Sequence, residues 1–170
     1  MRMSHLADPS KKSEKGDRLL NKESFLSLLS NIRSDYSSDQ ITNNTRLTIL
    51  QALLRLKLAD KEILDITAKM IAQDKFTNLN QLTNALYVLG KFKYKSSDSN
   101  KFIEQAILRL KSEPKLEIRL ACRNLWNLFA LDYKSEDALK LFADVILRVG
   151  EPYKLNELDI ANSLRAFAHF

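Results

Sequence analysis

From Leu19 onward, apolar residues fall at helical spacing, beginning with Leu19, Leu20, Phe25, Leu28, Leu29 and Ile32. The run Ser34–Asn44 (SDYSSDQITNN) breaks this pattern with turn and cap residues. After it, apolar stripes continue almost without pause to Phe170. Two kinds of stripe alternate. The first, helix A, is typified by Leu82, Ala85, Leu86, Leu89 and Phe92, and the second, helix B, by Phe102, Ile103, Ala106, Ile107 and Leu110. A polar turn joins them, with Ser96, Ser97, Asp98 and, one unit later, Ser135 as natural N-caps for helix B. Pro114 and Pro152 separate each pair from the next. The spacing predicts helix pairs at 44–58 with 61–73, 78–93 with 98–111 and 117–132 with 136–149, then an unpaired helix from about 156.

The pairs repeat in sequence as well as in pattern. Residues 82–116 set against 121–155, a shift of 39, share 12 identities in 35 positions, where chance gives roughly two. They include Leu86/Leu125, Leu89/Leu128, Tyr94/Tyr133, Ile107/Ile146, Leu108/Leu147 and Arg109/Arg148. The same shift carries Leu125 to Leu164 and Leu131 to Phe170. A shift of 36 carries Leu50, Leu53, Leu56 and Leu58 to Leu86, Leu89, Phe92 and Tyr94, and Ile63 and Leu64 then match Phe102 and Ile103.

One amphipathic pair cannot bury its own apolar face, and stacked pairs can. Only 3 Gly and 3 Pro in 170 residues favour long helices over a turn-rich sheet. The expected fold is therefore all-α, a right-handed α-α superhelix of HEAT/armadillo-like helical repeats of 36–39 residues. The units fall at about 44–75, 78–113 and 116–152, with an incomplete one at 155–170, inside a repeat domain that spans 19–170. Residues 1–18 read as a disordered polar leader. An apolar ending, AFAHF, inside a helix A predicts a truncated solenoid.

Composition removes several function classes. No apolar run approaches the ~18 residues of a membrane helix, so no membrane partner is expected. There is no phosphate-cradling Gly loop, no nucleophile elbow and no HExxH. His5 and His169 have no partner at metal-ligand spacing, and the single Cys122 beside the helix A stripe reads as a small buried thiol. The adjacent acids Glu136 and Asp137 suit the positive end of a helix B. No catalytic residue, metal, cofactor or small-molecule substrate is expected, and the chain is not expected to be an enzyme.

Charge adds one positive indication. The net +6 is uneven, with +5 falling in residues 76–123 (9 Lys and Arg against 4 Asp and Glu) and −2 in 124–170 (5 against 7). Helix A also repeats a polar face: Thr48, Gln51, Arg55; Asn84, Tyr87, Lys91; Arg123, Trp126, Ala130; Asn162, Arg165, His169. Bases, amides and aromatics recurring at equivalent positions suit an extended single-stranded RNA, with bases on rings and phosphates on cations. The candidate RNA-binding residues are Arg55, Asn84, Tyr87, Lys91, Lys93, Arg123, Trp126 and Arg165. The alternative for Tyr87 and Trp126 is inter-repeat core. Arg109 and Arg148 form a second ladder beside the helix B core, where ion pairing is the competing role.

The segments LTNALYVLGKFKY (82–94), ACRNLWNLFALDY (121–133) and LDIANSLRAFAHF (158–170) resemble the helical repeats of organellar RNA-binding proteins. These are the repeats that precede the RAP domain in Fas-activated serine/threonine kinase-like proteins, with related repeats in octotricopeptide-type proteins and in armadillo-like subunits of the mitochondrial RNA-editing substrate-binding complex. The resemblance covers about residues 42–170. It implies a non-catalytic scaffold in mitochondrial RNA processing, RNA stability or ribosome association, with RNA or the protein subunits of a ribonucleoprotein complex as partners. Asp8, Glu14 and Asp17 make the leader a poor mitochondrial presequence, so a cytoplasmic location is the alternative. The alternative function is a general HEAT/armadillo-type protein–protein scaffold. What separates the two is whether the helix A ladder and the basic segment share one exposed face.

Overall fold

The computed structural model describes residues 22–96, 99–148 and 155–170. Among these there are eight α-helices and no strand: α1 Glu23–Tyr36, α2 Asn43–Leu56, α3 Lys61–Ala72, α4 Leu79–Lys91, α5 Ser99–Lys111, α6 Ile118–Ala130, α7 Glu136–Arg148 and α8 Glu157–His169. The three expected pairs and the single last helix are all present, each with ends within two residues of the sequence reading. The leader, the Ser97 and Asp98 caps, the Pro152 link and the Arg148 side chain lie outside the described residues.

Alternate helices pack on one another. α2, α4, α6 and α8 form an A layer, α1, α3 and α5 a B layer, and α7 packs against α6. α1 is thus a helix B standing before the first complete pair, a placement that the sequence reading did not make. It also runs past Ser34, where the pattern was expected to break. Tyr36 explains the extension. Its ring is fully buried, its Oη lies 2.9 Å from Thr67 Oγ1, and its carbonyl accepts from Arg46 Nε at 2.9 Å. Arg46, itself buried, also donates to Ser38 O and to Asn43 Oδ1, and so pins the α1–α2 turn.

Each helix starts and stops for a local reason. Thr42, Asp60, Asn78 and Asn156 accept a backbone N–H from the first turn of α2, α3, α4 and α8, and Asn156 and Asp159 form a capping box. Ser135 Oγ accepts from Ala138 N at the start of α7. Helices α2, α3, α4 and α6 end on residues in the left-handed region: Lys57, Asp74, Lys93 and Asp132. In α4, Lys93 N donates to Gly90 O and Tyr94 N to Leu89 O. This is the paired bonding that satisfies a helix's last carbonyls. A non-glycine residue there costs about 1–2 kcal/mol, which a chain with 3 Gly meets repeatedly.

The repeated leucines form the core. Leu50, Leu86 and Leu125, equivalent in the three units, are buried, as are Phe102, Ile103, Ala106, Ile107 and Leu110 of α5. Leu164, expected by the same shift to be core, is exposed, because α8 has no helix B against it among the described residues. Tyr94 and Tyr133 are identical for a physical reason. Tyr94 Oη donates to Asp65 Oδ1 at 2.6 Å and Tyr133 Oη to Glu104 Oε1 at 3.3 Å, so each ties the A–B turn of one unit to the helix B of the unit before it. Between α4 and α6 a polar seam runs through the core: Asn124 Nδ2 donates to Thr83 Oγ1 at 2.9 Å and Asn127 Nδ2 to Thr83 O at 3.1 Å. A Cβ on Gly90 would stand 3.0 Å from Ala130 Cβ, so small residues let these two helices approach.

Leu86→Ala and Leu125→Ala should each cost roughly 2–5 kcal/mol in denaturant unfolding, because each leaves a cavity in the repeated stripe. A cost below that range at both positions would mean that the leucines do not carry the stacking. Alkaline unfolding tests the Tyr36 site. Burial is the main cause that holds its hydroxyl up to about 12 from an ordinary 10.0, against the opposing Thr67 bond and Arg46 charge. The folded state therefore keeps a proton that the unfolded state releases first. The resulting stability is full below pH 10 and is lost as pH rises through 12. Tyr36→Phe should lose less melting temperature than the parent across that window, and equal losses would contradict the assignment.

Candidate nucleic-acid interface

The A layer displays the repeated polar positions on adjacent helices. Asn84, Tyr87 and Lys91 project from α4 beside Arg123 and Trp126 of α6. Arg123 Nη2 donates to Asn84 Oδ1 at 2.6 Å. The Tyr87 and Trp126 rings lie 5.4 Å apart between centroids, tilted by 36°. Lys91 Nζ sits above both, 5.4 Å from the tyrosine centroid and 4.7 Å from the tryptophan. Five of the eight candidate residues therefore form one cluster. Both aromatics are half-buried, which makes them part of the α4–α6 packing and part of the surface at once.

Arg55 on α2 and Arg165 on α8 occupy the repeat-equivalent positions on the flanking helices and are exposed. They extend the row beyond the cluster. Lys93 does not belong to it. It is the left-handed residue that ends α4, exposed in the turn and off the helix face. At the far end of the row, His169 packs edge-on against Phe129 at 5.0 Å and its Nε2 lies 3.4 Å from Asp132 Oδ1.

The basic segment 76–123 divides between the layers. Lys91 and Arg123 face outward from the A layer. Lys95 pairs with Asp132 at 3.6 Å, Arg109 with Asp74 at 3.8 Å and Lys111 with Asp137 at 2.8 Å. Lys95 and Lys101 also line a cleft between α3 and α5 with Lys61 and Lys69. The Lys111 ammonium holds the Asp137 carboxyl below its ordinary value, an interaction on open surface. Arg109 thus has the ion-pair role rather than a place in the row.

A different grouping of charge emerges once the layers are known. α2, α4 and α6 contain no Asp or Glu, while carrying Arg46 and Arg55, Lys91, and Arg119 and Arg123. The acids of the paired units sit on α3, α5 and α7 or in the turns, where Asp60, Asp74, Glu113, Glu117 and Asp132 lie. Arg55, Lys91, Arg123 and Arg165 make no ion pair among the described residues. Counting charge along the chain hides this. Counting it helix by helix, using the A/B alternation, would have found it.

Among the described residues no three His, Cys, Asp or Glu side chains come together to hold a metal, and no helix is long and apolar enough to cross a membrane. Cys122 is buried between α6 and α8, where burial pushes its thiol up and Ser163 is its hydrogen-bond partner. Comparison of the chain with protein-family models, curated proteins and solved structures finds no match.

Proposed function

We propose that the chain is a non-catalytic helical-repeat scaffold that binds single-stranded RNA along the A layer. The observation that carries this reading is the acid-free run of α2, α4 and α6, on which each helix presents a cation without an ion pair, joined on α4 and α6 by the half-exposed rings of Tyr87 and Trp126. A surface of one sign raises the local concentration of a polyanion and releases counterions when phosphates bind. Aromatic faces add affinity with little sequence preference, because every base has a π-face. The resemblance of the repeats implies a setting in mitochondrial RNA processing, stability or ribosome association.

A protein-scaffold reading has its own observation. Leu108 and Leu147, equivalent positions on α5 and α7, are both exposed. They offer a repeated apolar point on successive helices B, suited to a protein subunit.

Fluorescence anisotropy of a labelled single-stranded RNA over a salt series separates the two. Single strands lose affinity with a log–log slope of roughly −0.7 per neutralised phosphate. The quadruple variant Arg55→Ala, Lys91→Ala, Arg123→Ala, Arg165→Ala should bind more weakly at low salt and show a slope flatter by about 3 if each cation meets one phosphate. Tyr87→Ala should weaken binding by up to ~1–3 kcal/mol if a base stacks there, with its melting temperature measured alongside to remove the packing contribution. Trp126 is the sole tryptophan, so its emission should change on titration. Equal binding by parent and quadruple variant at every salt concentration would overturn the RNA reading and favour the protein scaffold.

A further inference from the structure

The cluster on α4 and α6 is ordered along the helix axes. Asn84 and Arg123 occupy one turn, Tyr87 and Trp126 the next, and Lys91 the turn after, with the small Ala130 as its counterpart on α6. From Asn84 to Lys91 is about 10 Å at 1.5 Å per residue, comparable to a purine nucleotide from base edge to phosphate. Arg55 on α2 is equivalent to Lys91 by the shift of 36, so two successive helices put a cation on the same side of the ring row. On the other side, Arg123 Nη2 donates to Asn84 Oδ1 at 2.6 Å. A guanidinium can only donate, so this bond fixes the carboxamide with its oxygen toward Arg123 and leaves Nδ2 as a donor. Among the described residues nothing accepts from Asn84 Nδ2 or from the other N–H groups of Arg123. That side of the rings therefore offers a row of donors, with Asn84's oxygen already engaged.

We propose that this site selects guanine, a specificity that rests on the A-layer reading of RNA binding above. The base lies on Tyr87 and Trp126, whose ring centroids 5.4 Å apart make a floor for a two-ring purine. Guanine's O6 and N7, two adjacent acceptors, receive N–H groups of Arg123 and Asn84. Adenine puts an amine beside N7, so at one of the two positions a donor meets a donor. The phosphates run along the side of Arg55 and Lys91. Lys91 Nζ, 5.4 and 4.7 Å from the tyrosine and tryptophan centroids, moves on its flexible stem to a phosphate as the base takes its place. Arg123 then reads a base, leaving Arg55, Lys91 and Arg165 for phosphates.

Fluorescence anisotropy of labelled uridine-rich RNAs that differ at one central nucleotide tests this. The parent should bind the guanosine RNA at least about fivefold more tightly than the adenosine RNA, the lower end for a paired contact to a base edge. Inosine keeps O6 and N7 and should bind as guanosine does. The 7-deaza analogue of guanosine lacks the N7 acceptor and should lose most of the preference. Arg123→Lys keeps the charge without the fork of donors, so it should retain the parent's salt slope while the guanosine preference falls toward one. Lys91→Ala should weaken both RNAs alike. Arg123 and Lys91 are exposed, so circular dichroism of both variants should match the parent. Guanosine and adenosine RNAs that bind equally, with the expected salt dependence, would overturn the guanine inference and leave the A-layer reading standing. So would an Arg123→Lys variant that keeps the full preference. A parent that binds none of these RNAs at low salt would overturn both.

Discussion

Leu50, Leu86 and Leu125 stand at equivalent positions of three successive units and are buried in one shared core, and the rest of the structure depends on that shared burial. A single A–B pair has too little apolar area to offset the entropy of ordering its chain. The polar features follow from the same constraint. Tyr94 and Tyr133 reach back to Asp65 and Glu104 on the preceding helix B, fixing the register in which one pair sits on the last. Thr83, Asn124 and Asn127 bond across the α4–α6 seam, so two helices in close approach leave few orientations open to each other.

Stacking in two layers also sorts charge. Residues far apart along the chain become neighbours within a layer, and residues close in sequence are divided between layers. Arg123 meets Asn84 from 39 positions away, while Lys91 and Lys95, four apart, face a ring cluster and an acid respectively. Although α8 carries Glu157 and Asp159, the freedom of α2, α4 and α6 from acids is a property of the assembled stack. It gives the surface its sign without requiring a strongly basic protein.

Much of this was legible in the sequence. The repeat of Leu, Tyr and Ile at a spacing of 39 located the helices, because Leu86, Leu89 and Ile107 are core positions and Tyr94 a turn tie. The core-facing leucines of α4 and α6 were readable for the same reason. α1 was harder to place, since its pattern carries fewer identities with the later units and its end depends on Tyr36, Thr67 and Arg46 meeting from three helices. In the candidate interface, the grouping of Tyr87, Trp126, Lys91, Arg123 and Asn84 followed from helical spacing plus the repeat. Lys93, a candidate from the basic segment, stands in the left-handed turn after α4 and apart from that grouping, a conformation that periodicity does not show. The segment count of charge also misled, because +5 over 76–123 mixes an outward face with cations already committed to Asp74, Asp132 and Asp137.

Nearest-neighbour stacking is the claim on which the fold and the functional reading rest, and amide hydrogen exchange tests it most directly. In a stack held together by adjacent pairs, protection depends on how many neighbours a helix has. The slowest exchange is expected in α4 and α6, which are covered on both sides and line the polar seam. Faster exchange is expected in α1 and α8, where only Leu29 and Tyr36, and Ser163 and Ala166, are buried. Protection in α1 or α8 equal to that of α4 and α6 would contradict it, since a helix with an uncovered apolar face would then be as firmly held as one with neighbours on both sides.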